Sequence, residues 1–165
     1  MTAVRSSPSG KLIQIPSSSG NEPTYSAARL PGNVPLTVSP VDLITAFKPL
    51  FGEPTTRIAL VTVCLAFVNT AGFDGAPIAG AVGLQRNSDT PINMGNYRSI
   101  PVGPGLANPA PLLWISQTVI QVAPDDEFRL FASSTTAGGA VADAATVTSY
   151  PGSEDAASVL SFLFP

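Results

Sequence analysis

Residues 112–133 read LLWISQTVIQVAPDDEFRLFAS, and this stretch narrows the fold more than any other. Its first half is dense in Val, Ile, Thr and Trp, which suit a pleated, half-buried surface. Gln117 and Gln121 share one face under the two-residue period of a strand, while Thr118, Ile120 and Val122 take the other. Pro124 cannot donate to a ladder and aspartate favours turns, so Ala-Pro-Asp-Asp stops the strand. Glu127, Arg129 and Phe131 then alternate with Phe128, Leu130 and Ala132, the period of a second strand. The pattern predicts an antiparallel hairpin with a short acidic turn.

The rest of the chain carries the same signature. Candidate strands fall at 24–30, 34–38 and 41–50, the second an edge because of Pro35 and the third strand or irregular because of Pro49. Residues 57–69, RIALVTVCLAFVN, are apolar on both alternate faces, which predicts a central strand. Residues 78–85 read as a returning strand in which Gly80 and Gly83 mark a bulge or a close neighbour. The Pro- and Gly-rich stretch 87–111 is a long loop with a short strand at 97–102. Residues 135–145 form a Gly/Ala loop, 146–150 a short strand, and 159–164 a hydrophobic strand held in a sheet. Eight to ten short strands without a clear helix predict an all-β, two-sheet antiparallel sandwich.

Residues 1–23 differ in kind, with six serines, three prolines and two glycines. They read as an extended N-terminal arm, and 24–165 as one β-sandwich domain. Within the arm, Leu12, Ile13 and Ile15 could add as a short strand to another subunit's sheet edge. No secretory signal is visible, and the apolar run near 58–68 is too short to span a bilayer as a helix.

Several residues resemble the C1q/TNF-like jelly rolls. In that family a Thr-Val-rich strand leads through a turn containing Gly-Asp to an aromatic-x-Leu strand. Here Ser116, Thr118, Val119 and Val122 precede Asp125-Asp126, followed by Phe128 and Leu130. Residues 158–163, SVLSFL, are similar to the family's closing strand, and 67–72 to its central strand and the loop after it. The chain departs from the pattern in its Pro-Asp-Asp turn and its long Pro-rich stretch at 87–111. The resemblance implies a jelly roll assembled as a compact homotrimer. It also implies a head-decoration, head-fibre or tail-tip role of the kind that bacteriophage members have.

The residues exclude several chemistries. The chain has no histidine, which removes Ser-His-Asp catalysis and the commonest transition-metal ligand. Cys64 is the single cysteine, so no intrachain disulfide forms, and its apolar setting reads as an inert thiol. Gly72-Phe73-Asp74-Gly75 and Gly103-Pro104-Gly105 match no phosphate-binding loop. Asp125-Asp126-Glu127 and Glu154-Asp155 lack calcium-loop spacing and read as solvated turns. The expectation is therefore no enzyme, no cofactor and no metal. A net charge of −3 with scattered cations gives no nucleic-acid face, and no membrane partner is expected.

Charged residues make up 12% of the chain, against about 25% in ordinary soluble domains. Hydrophobic residues make up 44%, and mean hydropathy is +0.28. So little charge predicts that much of the surface lies in an obligate oligomer or lattice. The expected function is that of a virion structural protein, decorating or stabilising a capsid, located on the capsid surface. It would be a homotrimer attached to viral capsid proteins through its arm. The expected interface residues are Leu12, Ile13, Ile15, Ile58, Leu60, Phe67, Trp114, Phe162 and Phe164. One alternative is a receptor- or glycan-binding head using 87–111 and 135–142, with Tyr97-Arg98 as its best pair. The other is a main jelly-roll capsid protein, for which Arg5 and Lys11 are few cations for an RNA-packaging arm.

Overall fold

The computed structural model describes residues 23–51, 55–69, 79–98, 112–135, 140–143 and 158–165. They form ten strands and no helix: β1 (Thr24–Arg29), β2 (Val34–Pro35), β3 (Val41–Phe47), β4 (Arg57–Asn69), β5 (Ala79–Arg86), β6 (Ile92–Arg98), β7 (Leu112–Val122), β8 (Phe128–Ser134), β9 (Ala140–Asp143) and β10 (Val159–Phe164). The expected arm lies outside the described residues, as do the strand foreseen at 146–150 and the loop 99–111.

Two antiparallel sheets make a sandwich. In the first sheet β4 is central: β7 lies along one side, and β10 and then β9 along the other. Outside these lie β1 on β10 and β2 on β9. The second sheet has the order β3-β8-β5-β6. The pairs β1–β10, β3–β8, β4–β7 and β5–β6 are nested in sequence, which is the winding of a jelly roll.

Alternation along each strand decides what enters the core. Ala59, Val61, Val63, Leu65 and Phe67 of β4 are buried, and so are Phe128, Leu130 and Ala132 of β8. Phe162 sits at the centre, 4.7 Å from the Phe128 ring and 5.6 Å from that of Phe47, both on the opposite sheet. Phe67 stacks on Tyr97 across the sandwich at 3.9 Å. Ser158 and Ser26 accept hydrogen bonds from Ala66 N and Leu50 N, each at 3.1 Å, which satisfies amide groups at the ends of the sheet.

The sandwich corrects the expected hairpin at 112–133. β7 and β8 do not pair with each other; β7 pairs with β4, whereas β8 lies between β3 and β5 in the other sheet. The acidic connector crosses between sheets. Asp126 anchors that crossing: Oδ2 accepts from Ala123 N at 2.8 Å, and Oδ1 accepts from Asn87 Nδ2 at 2.8 Å. Asp126 is therefore a buried structural group and not a solvated one.

Other boundaries also differ. The stretch 87–111 holds β6 upstream of the expected strand, beginning just after Pro91. Residues read as a Gly/Ala loop include β9, recruited by the end of β4. Gly80 and Gly83 have close neighbours, as expected: a Cβ at Gly80 would lie 1.9 Å from Ser133 O, and one at Gly83 2.4 Å from the Phe131 ring. The ladder between β5 and β6 shifts register at Val82/Gly83, the bulge itself. β5 is not a return of β4, since it belongs to the opposite sheet.

Candidate assembly face

The two outer faces of the sandwich differ in chemistry. Outside the second sheet, Arg129 pairs with Asp42 at 2.6 Å and lies over the Phe131 ring, and Asn93, Asn96 and Arg98 are exposed beside them. That face carries the charge a solvated surface needs.

Outside the first sheet most of the side chains are apolar. Register places Tyr25, Leu163, Leu60 and Val119 in one row across β1, β10, β4 and β7. A parallel row holds Arg29, Val159, Cys64 and Ile115, and beyond it Ala66 faces Leu113. Ile58, opposite Gln121, extends the other end. Val119 is 64% exposed, Ile115 58%, and Ile58 and Leu113 55% each. Six of the eight large hydrophobic side chains exposed among the described residues stand here; Val38 and Leu50 are elsewhere. Among the described residues of β1, β4, β7 and β10, Arg29 is the one charged side chain on this face, at its margin.

The face is broad. With strands about 4.8 Å apart and about 3.3 Å per residue, β4 and β7 over the span 58–66, with β10 and β1 opposite 60–64, cover roughly 450 Å². A stable interface takes about 800 Å² from each partner, so this face supplies more than half of one.

The sheet edge beside this face is closed by side chains. Trp114 Nε1 donates to Asn96 O at 3.1 Å and Ser116 Oγ to Met94 O at 2.6 Å, tying β7 to β6 of the other sheet. Gly95 adopts φ +129°, and a Cβ there would touch Trp114. Near the end of β5 an open hollow is lined by Arg86, Asp89, Thr90, Ile92, Ile120 and Gln121. Its cation is engaged: Arg86 bridges Asp89 at 2.7 Å, and the hydrogen bond to that carboxylate raises the guanidinium pKa.

The expected interface residues divide. Ile58 and Leu60 stand on the outer face, Ile58 strongly exposed. Phe67, Phe162 and Phe164 are enclosed between the sheets, which makes them packing residues of the single chain. Trp114 packs against the same core and spends its N–H on Asn96. Leu12, Ile13 and Ile15 lie outside the described residues. Sequence reading did not name the exposed Leu113, Ile115, Val119 and Leu163, although the first three share the parity of the β7 glutamines. Tyr97 is buried against Phe67, so the pair Tyr97-Arg98 does not present an aromatic ring for a sugar. Among the described residues no group of three acidic, His or Cys side chains comes together to hold a metal.

No family model matches the chain, and no curated protein matches it. Among solved structures it is similar to Eiger TNF from S. frugiperda, at 10% identity and TM-score 0.39, over 81% of this chain and 90% of that one. It is also similar to a structure of infectious bursal disease virus, Gx strain, at 13% identity and TM-score 0.34. That match covers 99% of this chain and 45% of the viral chain.

Proposed function

We propose that the protein is a virion structural protein, a capsid decoration or head-fibre component that assembles as a homotrimer. The observation that carries this reading is the exposed, largely apolar face built from Ile58, Leu60, Val119, Ile115, Leu113 and Leu163. Its occupant is a second copy of the same chain. The face supplies more than half of the area a stable interface needs, and its near lack of charge offers little to a charged partner. The charged outer face of the second sheet then remains toward solvent. Attachment to viral capsid proteins falls to the Ser- and Pro-rich segment 1–23, whose Leu12, Ile13 and Ile15 suit strand addition to a sheet edge. The role is assembly rather than catalysis, on the surface of a capsid.

Light scattering on the full chain tests the assembly. The expected result is the mass of a trimer, with Val119→Asp giving a monomer of unchanged β-type circular dichroism. A monomeric wild-type chain at all concentrations overturns the reading. Attachment is tested by sedimenting the chain with virus particles that lack it. The full chain should pellet with them, and a chain without residues 1–23 should not.

A further inference from the structure

The apolar face is interrupted by one polar row. Ala27, Ser161, Thr62 and Gln117 stand side by side across β1, β10, β4 and β7. The row lies between the Tyr25–Leu163–Leu60–Val119 row and the Arg29–Val159–Cys64–Ile115 row. Its three polar residues are linked to one another. Gln117 Nε2 donates to Thr62 Oγ1 at 3.0 Å, and Ser161 Oγ donates to Thr62 O at 3.3 Å. The Thr62 hydroxyl thus aims the Gln117 amide, whose Oε1 accepts from no group among the described residues.

Such an amide tolerates burial in only one arrangement. Left unpaired under an apolar neighbour, a polar group bears its desolvation cost with nothing to offset it. Paired with a polar group of the neighbour, it costs little. A copy docked one row out of place would set Gln117 against Leu60, Val119, Cys64 or Ile115, with no hydrogen bond to accept. The flanking apolar rows supply affinity without direction, because hydrophobic burial does not fix register. The polar row supplies the direction. A single polar residue in an apolar seam has this effect in coiled coils, where it sets register and oligomer state at a cost in stability.

We infer that Gln117, oriented by Thr62, is the residue that fixes the register and copy number of the assembly, by hydrogen-bonding to the polar row of an adjoining copy. The inference rests on the reading of this face as the self-assembly surface. Thr62 acts through Gln117 and is a positioning residue.

The test compares the masses of full-length variants by native mass spectrometry and light scattering over a dilution series. Gln117→Leu removes the amide, and Thr62→Val removes the hydroxyl that aims it while keeping its volume. Gln121→Leu is the control: it adds the same apolar surface on the same strand, but outside the row. The expected result is a single mass for wild type and Gln121→Leu, and two or more coexisting oligomers for Gln117→Leu and Thr62→Val. Circular dichroism of each variant establishes that it has folded. A single wild-type mass for both row variants overturns the inference and leaves the assembly face standing. Equal heterogeneity in Gln121→Leu also overturns it, since added stickiness would then suffice. A monomeric wild type overturns the face and the inference together.

Discussion

Asn87 and Asp126, thirty-nine positions apart, clasp the two connectors at one end of the sandwich, with Nδ2 and Oδ1 separated by 2.8 Å. The clasp is doubled by the backbone. Asn87 N donates to Glu127 O at 2.7 Å, and Glu127 N donates to Asn87 Oδ1 at 2.9 Å. Asn87 reaches these partners from φ +50°, a left-handed conformation that asparagine tolerates better than most residues. The turn after β5 therefore holds the crossing from β7 to β8.

Asp126→Ala removes the shared acceptor of Ala123 N and the Asn87 amide, two part-buried hydrogen bonds. The expected loss of folding stability is about 3 kcal/mol, the worth of two hydrogen bonds to a charged group. Urea titration checks it, and a shift in midpoint with an unchanged slope is the expected form. A loss under about 0.5 kcal/mol would mean that water replaces the carboxylate, since surface substitutions have effects of that size.

Gly80→Ala sets a methyl group against the Ser133 carbonyl and the Tyr97 ring. Backbone on one side and a stacked ring on the other leave it little room. The variant should lose at least 2 kcal/mol or so, at the upper end for overpacking. Thermal unfolding followed by circular dichroism measures this. An unchanged melting temperature would show that β5 and β8 are not so close.

Phe162→Ala empties the centre of the cluster formed with Phe47, Phe128 and Phe164. A loss of about 3–5 kcal/mol is expected, and Phe162→Leu should cost clearly less because more of the volume remains. Denaturant unfolding of the two variants side by side gives the comparison.

Tyr97 donates to Ser133 O at 2.9 Å, and burial pushes its phenol pKa above the ordinary value of 10.0. The unfolded chain therefore gives up this proton before the folded one. Between those two pKa values the folded state holds more protons, so stability falls as pH rises. Below pH 10 or so the contribution is complete. Tyr97→Phe should cost about 1 kcal/mol at neutral pH for the lost hydrogen bond. It should also flatten the alkaline decline, and parallel alkaline limbs in the two proteins would contradict the assignment.

Cys64 stands on the outer face between Val159 and Ile115, and burial raises its thiol pKa above the ordinary value of 9.0. The thiolate is the reactive form, so alkylation by iodoacetamide at mildly alkaline pH should be slower than for an open thiol. The rate should rise when Val119→Asp exposes this face. Equal rates in the two proteins would mean that no neighbour covers Cys64.

Much of the architecture was legible from period-two alternation. β4 and β10 fall on the residues the sequence marks, because long β-branched and aromatic runs leave no other element to form. The shared face expected for Gln117 and Gln121 is the outer face of β7. Less visible was which side of β4 meets the core, since both of its faces are apolar. Only one of them lies opposite the second sheet, and the other carries the exposed apolar face. Phe67, Phe162 and Phe164 are hydrophobic enough for an interface or a core, and their strands' orientation sends them inward.

Strand identity and face parity are local properties, set by side-chain volume, branching and the geometry of an extended backbone. They can be read one stretch at a time. Which strands pair is a non-local property. Ala-Pro-Asp-Asp breaks a ladder whether the next strand lies beside β7 at about 4.8 Å or across the sandwich at about 10 Å. The choice is made by partners far along the chain: β4 takes β7, β3 and β5 take β8, and Asn87 holds the crossing through Asp126. Those contacts exist only once both sheets have formed around the same phenylalanines.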